Sequence, residues 1–244
     1  MDQNEELLAR IMNFLAEKFK NQLVLKGGML LRLWNLPRST QDLDYVWLSS
    51  KSRKVFAQEV KRSLGELEGV DVTGLEINSR GIFLDLIDSA KRRAKIEINV
   101  EKSTYLPPKP ASTAPLASRH SLPARIVATM DPAEALSHKI AAALERDLIR
   151  DLYDLAQMEA LTAFDAKTLE ARLSRLEISR AKPRKVNRRE AASLLREKAA
   201  KASPSRIETE LAGIIPTDQM AGLDLWIRAA ASRIAHRIET LGTS

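Results

Sequence analysis

The chain has 244 residues, of which 44% are hydrophobic and 29% charged, a balance typical of a folded globular protein rather than a disordered one. It contains no cysteine, which excludes disulfide bonds and cysteine-ligated zinc and suits a reducing cytoplasm. No apolar run approaches the roughly 18 residues needed to span a bilayer, and the polar, acidic start over residues 1–6 is unlike a secretory signal, so no membrane partner is expected.

The net charge of +7 is concentrated in one stretch, residues 180–206, called the basic segment below. It holds ten Lys or Arg against two acids, a local balance of +8, so the remaining chain is close to neutral. A basic segment on a near-neutral body indicates a phosphate-rich partner. Because the segment has no aromatic residue, it would contact a nucleic-acid backbone rather than stack on bases. The alternative is a solvated helix face. The candidate nucleic-acid contacts are Arg184, Lys185, Arg188 and Arg189.

The first hundred residues alternate between helical and strand periodicity. Apolar residues recur at helical spacing near the start. From Asp42 the chain alternates, with Asp42, Asp44, Val46 and Leu48 on one face and Leu43, Tyr45 and Trp47 on the other. Two later apolar runs, joined by a polar turn, predict a hairpin. In chain order the predicted elements are a helix over residues 5–19, a strand over 22–25, a helix over 29–34, a strand over 42–48, a helix over 52–67, and hairpin strands over 82–87 and 94–100.

The second half of the chain has a different character. Five prolines between Glu101 and Pro123 predict a loop or linker, because proline removes ladder donors and disfavours helix. The run Asp131-Pro132-Ala133-Glu134 is typical of a helix start, and the composition beyond it is almost wholly helical. We therefore predict an α+β fold, with a small mixed sheet flanked by helices in residues 1–125 and a helical C-terminal domain in residues 126–244.

Two short motifs in the first half carry candidate chemistry. Asp42 and Asp44 stand at i and i+2 of a strand, so both project from one face and can bind the same hard cation. Gly27 and Gly28 lie between a strand and a helix, where they let a phosphate approach backbone N–H groups. Together these motifs predict a site for a nucleoside triphosphate with Mg²⁺ or Mn²⁺.

The segment LVLKGGMLLRLWNLPRSTQDLDYVW, residues 23–47, resembles the glycine-pair and RxSxDxD signature of the AbiEii-type nucleotidyltransferases. These enzymes are toxins of type IV toxin–antitoxin pairs within the DNA polymerase β-like nucleotidyltransferase superfamily. Further matches are KIEIN at residues 95–99 and the run over residues 133–155, and the resemblance covers about residues 23–158. Met29 departs from the pattern, since the family has Thr or Ser there, and a hydroxyl contact to phosphate is lost.

The resemblance implies a role for each matched residue of the first half. Asp42 and Asp44 match the metal-binding acids, and Glu97 matches a third carboxylate that would hold metal or accept the proton of an attacking hydroxyl. Asp85 is the competing candidate for that third position, and it faces the same side of its predicted strand as Phe83 and Ile87. The expected nucleotide-binding residues are Lys26, Gly27, Gly28, Arg38, Thr40, Arg146 and Arg150.

The resemblance also assigns Lys139 as the family lysine, which would neutralise charge on the leaving pyrophosphate. It is followed by two candidate catalytic acids, Asp151 and Asp154. On an unbroken helix Asp151 would fall in the apolar stripe, so either the helix breaks near Ile149 or Asp151 is buried and must be paired. We favour the break, because it puts both acids near the start of a new helix. The separate roles of the two acids stay open.

The resemblance implies a metal-dependent nucleotidyltransferase that uses an NTP substrate and is neutralised by a separately encoded antitoxin. Some relatives extend the 3′ end of tRNA and block translation, so an RNA acceptor is expected and tRNA is the leading candidate. Two other classes stay open. The enzyme could transfer the nucleotide to a protein or a small molecule, or the chain could be a nucleotide- or partner-binding module without turnover.

Overall fold

The computed structural model describes residues 4–49, 51–178 and 182–241. The chain divides into two compact units, Met1–Asp131 and Pro132–Ser244. The first combines a sheet with helices and the second is helical. The predicted α+β fold class is confirmed.

A mixed sheet of seven strands, counted over the described residues, organises the first unit. Its strands are β1 (Leu23–Lys26), β2 (Asp42–Leu48), β3 (Val70–Ile77), β4 (Ile82–Asp88), β5 (Arg93–Glu101), β6 (Lys109–Ser112) and β7 (Ile126–Thr129). Their order across the sheet is β3-β4-β5-β2-β1-β7-β6. Strand β2 is central, parallel to β5 and antiparallel to β1, so the predicted Asp-x-Asp strand has a partner on both sides.

The helices of the first unit are α1 (Glu5–Phe19), α2 (Gly27–Leu33), α3 (Arg53–Leu64) and α4 (Ala114–Ala117). Alternation along β2 sends Leu43, Tyr45 and Trp47 into the core, where all three are buried. The Trp47 ring stacks on Phe56 of α3 with centroids 3.8 Å apart, and such aromatic pairs contribute about 1 kcal/mol beyond the area they bury. Asp42 and Asp44 consequently project from the opposite face of β2.

Three strands lie where the sequence did not predict them. Strand β3 is unpredicted, and the proposed loop over residues 101–123 contains β6 and α4, so that prediction is wrong in part. Strand β6 is an edge strand, and Pro110 fits there because an edge position does not need every N–H for the ladder.

The expected boundary at residue 125 falls before β7, whose Thr129 pairs with Leu25 of β1. The sheet therefore extends beyond that boundary.

The second unit contains α5 (Pro132–Glu145), α6 (Ile149–Glu159), α7 (Ala166–Leu173), α8 (Arg188–Ala200), α9 (Pro204–Leu211) and α10 (Leu223–Thr240). The predicted break near Ile149 is confirmed. Lys198 stabilises it, because its ammonium donates to the carbonyls of Leu144 and Arg146 at 2.6 Å each, at the end of α5. Burial lowers the pKa of Lys198.

A membrane span needs about 20 apolar residues in a row, and none of the helices in the described ranges meets that requirement.

Candidate active site

Strand register gathers the predicted acids on one face of the sheet, called the acidic face below. Asp42 lies opposite Lys95, and Asp44 lies opposite Glu97, in the parallel pair β2–β5. Asp44 is also opposite Lys26 in the antiparallel pair β1–β2. Residues that are directly opposite on paired strands project from the same face. Asp42, Asp44 and Glu97 therefore share this face, and a lysine adjoins each of the two aspartates.

The register also separates the two candidates for the third acid. Asp85 of β4 lies opposite Lys95, so Lys95 stands between Asp85 and Asp42 on the same face. The Asp85 carboxylate packs over Gly74, where an added Cβ would lie 2.8 Å from its Oδ2. Glu97 has Asp44 as its direct neighbour. The geometry favours Glu97 over Asp85 as the third carboxylate.

The glycine pair and the acidic strand meet at close range. Gly27 has φ +69°, and a Cβ added there would lie 2.0 Å from Asp44 Oδ2. A Cβ added at Gly28 would lie 2.6 Å from both Arg38 Nη1 and Thr40 Oγ1. Real Cβ atoms do not approach other atoms so closely, so any larger residue would displace these side chains. Both parts of the sequence signature thus form one surface around the first turn of α2.

The acidic face has the chemistry of a divalent-metal site. Asp42 is exposed and Asp44 and Glu97 are half-buried, so their carboxylates reach solvent. Neither Asp44 nor Glu97 forms an ion pair with any residue in the described ranges, and like charges on neighbouring strands repel. Oxygen ligands of this kind fit Mg²⁺ or Mn²⁺. In the described parts of the chain, however, no three acidic or histidine side chains are already gathered around one point.

Two residues beside the motifs have clear structural roles. Met29, which replaces the hydroxyl residue of the family pattern, is fully buried, so it packs in the core. Burial raises the pKa of Tyr45, and the negative charge of Asp44 adds to this effect. The Tyr45 phenol is therefore neutral at physiological pH.

In the second unit, the basic and acidic residues of the third motif form a paired cluster. Lys139 donates to Asp154 Oδ2 at 2.6 Å and lies 3.9 Å from Asp151 Oδ1. Arg146 Nε lies 3.2 Å from Asp151 Oδ2. Both aspartates are buried, at 2% and 1% exposure for Asp151 and Asp154. The sequence could not distinguish them, but Asp154 chiefly holds Lys139 and Asp151 chiefly holds Arg146. Asp151 is thus buried and paired even though the helix breaks.

Arg150 differs from the other basic residues of this motif. It is half-buried in the first turn of α6 and forms no ion pair with another described residue. Arg150 forms no ion pair with either aspartate, so the geometry gives it no common role with Lys139 or Arg146. Its assignment as a nucleotide-binding residue stays a prediction.

The basic segment is partly neutralised by ion pairs within its own unit. Arg184 pairs with Glu190 at 2.6 Å, and Arg188 pairs with Glu170. Further pairs are Arg196 with Glu239, Lys201 with Glu197, and Arg206 with Glu210 and Asp147. The first residue of the segment, Arg180, lies outside the described residues.

The two other candidate nucleic-acid contacts have a different environment. Lys185 and Arg189 are exposed, and neither forms an ion pair with a residue that the structure describes. Lys185 precedes α8, and Arg189 lies in its first turn. The charge available to a polyanion is therefore smaller than the composition suggests, and Lys185 and Arg189 contribute to it.

The chain is similar to known nucleotidyltransferases in sequence pattern and in fold. The family model for the nucleotidyl transferase AbiEii toxin of type IV toxin–antitoxin systems matches residues 7–231. No curated protein matches. JHP933 from Helicobacter pylori is 16% identical with a TM-score of 0.57, covering 98% of this chain and 94% of its own. MenT4, a nucleotidyltransferase toxin from Mycobacterium tuberculosis, is 18% identical with a TM-score of 0.57, covering 96% and 85%.

At these identities the two solved structures establish a shared fold, and the family rests on the model that spans most of the chain. The matched range, residues 7–231, includes the glycine pair, the Asp-x-Asp strand and the Lys139 motif. The chain belongs to the AbiEii family of nucleotidyltransferase toxins of type IV toxin–antitoxin systems.

Proposed function

We propose that this enzyme uses a divalent metal, Mg²⁺ or Mn²⁺, to transfer a nucleotide from an NTP to an RNA acceptor. Asp42, Asp44 and Glu97 are the proposed metal ligands. The observation that carries the proposal is the packing of Asp44 against Gly27 beside the register pair of Asp44 and Glu97. A metal-bound triphosphate needs carboxylates next to a turn whose backbone can approach phosphate, and the acidic face supplies both.

In the proposed reaction, a hydroxyl oxygen of the acceptor attacks the α-phosphorus of the nucleotide. An oxygen–phosphorus bond forms, the bond from the α-phosphorus to the bridging oxygen breaks, and pyrophosphate leaves. The hydroxyl proton passes to a carboxylate of the acidic face, for which Glu97 is the candidate. A bound divalent metal supplies neutralisation of phosphate charge and a lower pKa for the attacking hydroxyl.

The proposed nucleotide contacts of the first unit are the glycine turn and the side chains that meet it. Arg38 and Thr40 crowd Gly28, so a phosphate near this turn would find a guanidinium and a hydroxyl close by. Lys26 lies opposite Asp44 and would add a positive charge on the same face. The roles of Lys139, Arg146 and Arg150 in binding phosphate, and of Asp151 and Asp154 in catalysis, rest on the family motif.

The RNA acceptor is supported by charge and by the family. Lys185 and Arg189 are exposed basic residues that can contact a phosphate backbone. Some relatives act on the 3′ end of tRNA, and a terminal hydroxyl there is a suitable nucleophile. A toxin that modifies tRNA in this way would stop translation. We expect it to act in the cytoplasm, where tRNA is used. The family pairs each toxin with an antitoxin, which is the expected protein partner.

The proposal is tested by incubating the purified protein with Mg²⁺, total RNA and each of the four α-labelled NTPs in turn. The products are separated on a denaturing gel with and without prior RNase treatment. The proposal predicts label in an RNase-sensitive band of tRNA size. RNase-resistant label on protein would identify a protein acceptor instead. Absence of label from every fraction would contradict nucleotide transfer to RNA.

A further inference from the structure

A buried carboxylate stands in the first turn of α1. Glu5 is 6% exposed, and Arg32 of α2 donates to its Oε1 from Nε at 2.7 Å. His120 Nε2 lies 3.0 Å from Glu5 Oε2, and Arg119 Nη1 lies 3.6 Å from the same oxygen. Burial alone would raise the pKa of Glu5, but the hydrogen bonds from Arg32 and His120 and the positive charges of Arg32 and Arg119 together outweigh burial and hold the pKa below its usual range. Glu5 is therefore charged at neutral pH.

Arg32 and Arg119, which both contact Glu5, also donate hydrogen bonds to the turn that follows α2. Arg32 Nη1 donates to the carbonyl of Leu36 at 2.7 Å. Arg119 Nη2 donates to Asn35 Oδ1 at 2.9 Å. Asn35 has φ +60°, a left-handed conformation that asparagine tolerates better than most residues. Backbone hydrogen bonds from Asn35 N to Arg32 O and from Leu36 N to Leu31 O close the turn, and the two arginine contacts add to them. Both arginine donors converge on Glu5.

This turn leads directly into the candidate nucleotide-binding residues. Pro37 follows the turn, and Arg38 and Thr40 come next. A Cβ added at Gly28 would lie 2.6 Å from Arg38 Nη1 and from Thr40 Oγ1. The helix that carries Arg32 begins at Gly27. The glycine pair and the side chains that crowd it are therefore joined by a segment whose middle is anchored through Arg32 and Arg119.

We infer that Glu5 is a positioning residue for nucleotide binding, acting through Arg32 and Arg119 on the turn that carries Arg38. The inference rests on the proposed function, because Arg38 and Thr40 matter for binding only if a nucleotide occupies the glycine turn. A residue with a purely structural role would change stability alone. A positioning residue would also change the nucleotide affinity of the folded protein and the local protection of the turn.

The test compares Glu5→Gln with Asp88→Asn. Asp88 is a matched control, because it is 3% exposed and accepts a hydrogen bond from Arg92 Nε at 2.7 Å, in the turn between β4 and β5. Binding of each of the four Mg²⁺–NTP complexes is measured by calorimetry. Hydrogen exchange is measured on the protein without nucleotide, over residues 34–40.

Glu5→Gln is expected to raise the nucleotide Kd about tenfold, since small misplacement of binding groups is costly. It is also expected to accelerate exchange over residues 34–40, whereas Asp88→Asn keeps the wild-type Kd and exchange there. Wild-type Kd or wild-type exchange in folded Glu5→Gln would overturn the inference. If Glu5→Gln does not fold, Asn35→Gly keeps the left-handed backbone but removes the Arg119 contact, and the same two readouts apply.

Failure of the inference and failure of the proposed function give different results. If the wild-type protein binds no NTP, the proposed function fails, and exchange over residues 34–40 still reports whether Glu5 fixes the turn. If the wild type binds NTP and Glu5→Gln binds it equally well, only the positioning role of Glu5 fails.

Discussion

The Asp44 carboxylate lies in the space that a side chain at Gly27 would need, since a Cβ there would be 2.0 Å from Asp44 Oδ2. Gly27 also has φ +69°, which most residues avoid. The preceding residue, Lys26, pairs with Asp44 across β1 and β2. The glycine pair and the Asp-x-Asp strand therefore pack against each other. A larger side chain at Gly27 would displace Asp44, an acid of the candidate site.

Gly27→Ala is expected to abolish nucleotide transfer. The strained backbone should cost about 1–2 kcal/mol of folding free energy, and the displaced Asp44 should lower the rate by at least about 100-fold. Gly222→Ala is the control, because Gly222 has φ +75° with no atom within 4 Å of an added Cβ. It should lose similar stability and keep full activity. Wild-type kcat in Gly27→Ala would show that Asp44 does not need its observed position.

Much of the site's local structure could be predicted because its signals lie close together in the chain. The alternation from Asp42 to Leu48 gave the strand and the shared face of its acids, and α1 was predicted with its observed bounds. The contact between Gly27 and Asp44 could not be derived, because it depends on which strands pair and in which register. The same register ranks Glu97 above Asp85, which strand alternation alone could not do.

The missed strands lack the signals that the prediction used. Strand β3 contains Gly74, and its alternation is disturbed by a register shift between Val72 and Gly74. Strand β6 contains Pro110, which normally argues against a strand. Strand β7 has four residues, and its Ile126 is 65% exposed. These strands are held by their neighbours in the sheet rather than by their own periodicity.

Asp154→Asn is expected to destabilise the protein by about 3–5 kcal/mol, because the largely buried ammonium of Lys139 loses its nearest carboxylate, at 2.6 Å, and keeps only Asp151 at 3.9 Å. Asp151→Asn should cost less, about 1 kcal/mol, because the Arg146 side chain is 48% exposed and water can replace the lost carboxylate. Urea unfolding of both variants measures the difference. Equal losses would contradict the separate pairing of the two aspartates.

Reversing Arg184, Lys185, Arg188 and Arg189 to Glu is expected to weaken RNA binding while leaving NTP binding unchanged. Each lost phosphate contact should flatten the log–log salt dependence by roughly 0.7–0.9. The double variant in which only Lys185 and Arg189 are changed to Glu should show most of the loss of RNA affinity and of salt dependence. These two side chains are exposed and form no ion pair with a described residue. RNA affinity at two salt concentrations provides the measurement. Wild-type affinity and slope in the fourfold variant would mean that RNA does not bind there.

Expression without the antitoxin is expected to arrest growth, as the family implies for a toxin. Lys139→Ala and Asp42→Ala should each relieve the arrest, because the first removes a proposed phosphate contact and the second a proposed metal ligand. Colony counts after induction give the result, with immunoblots to establish equal protein levels. Persistent arrest in both variants would point to a cause other than nucleotide transfer.

The acidic face is tested most directly by transfer of an α-labelled nucleotide in three variants, Asp42→Asn, Asp44→Asn and Asp85→Asn. All three remove one charge from the same face, but Asp85 is separated from Asp42 by Lys95. The account predicts loss of transfer in Asp42→Asn and Asp44→Asn, with the fold retained by circular dichroism, and activity close to wild type in Asp85→Asn. Full activity in both Asp42→Asn and Asp44→Asn would contradict it.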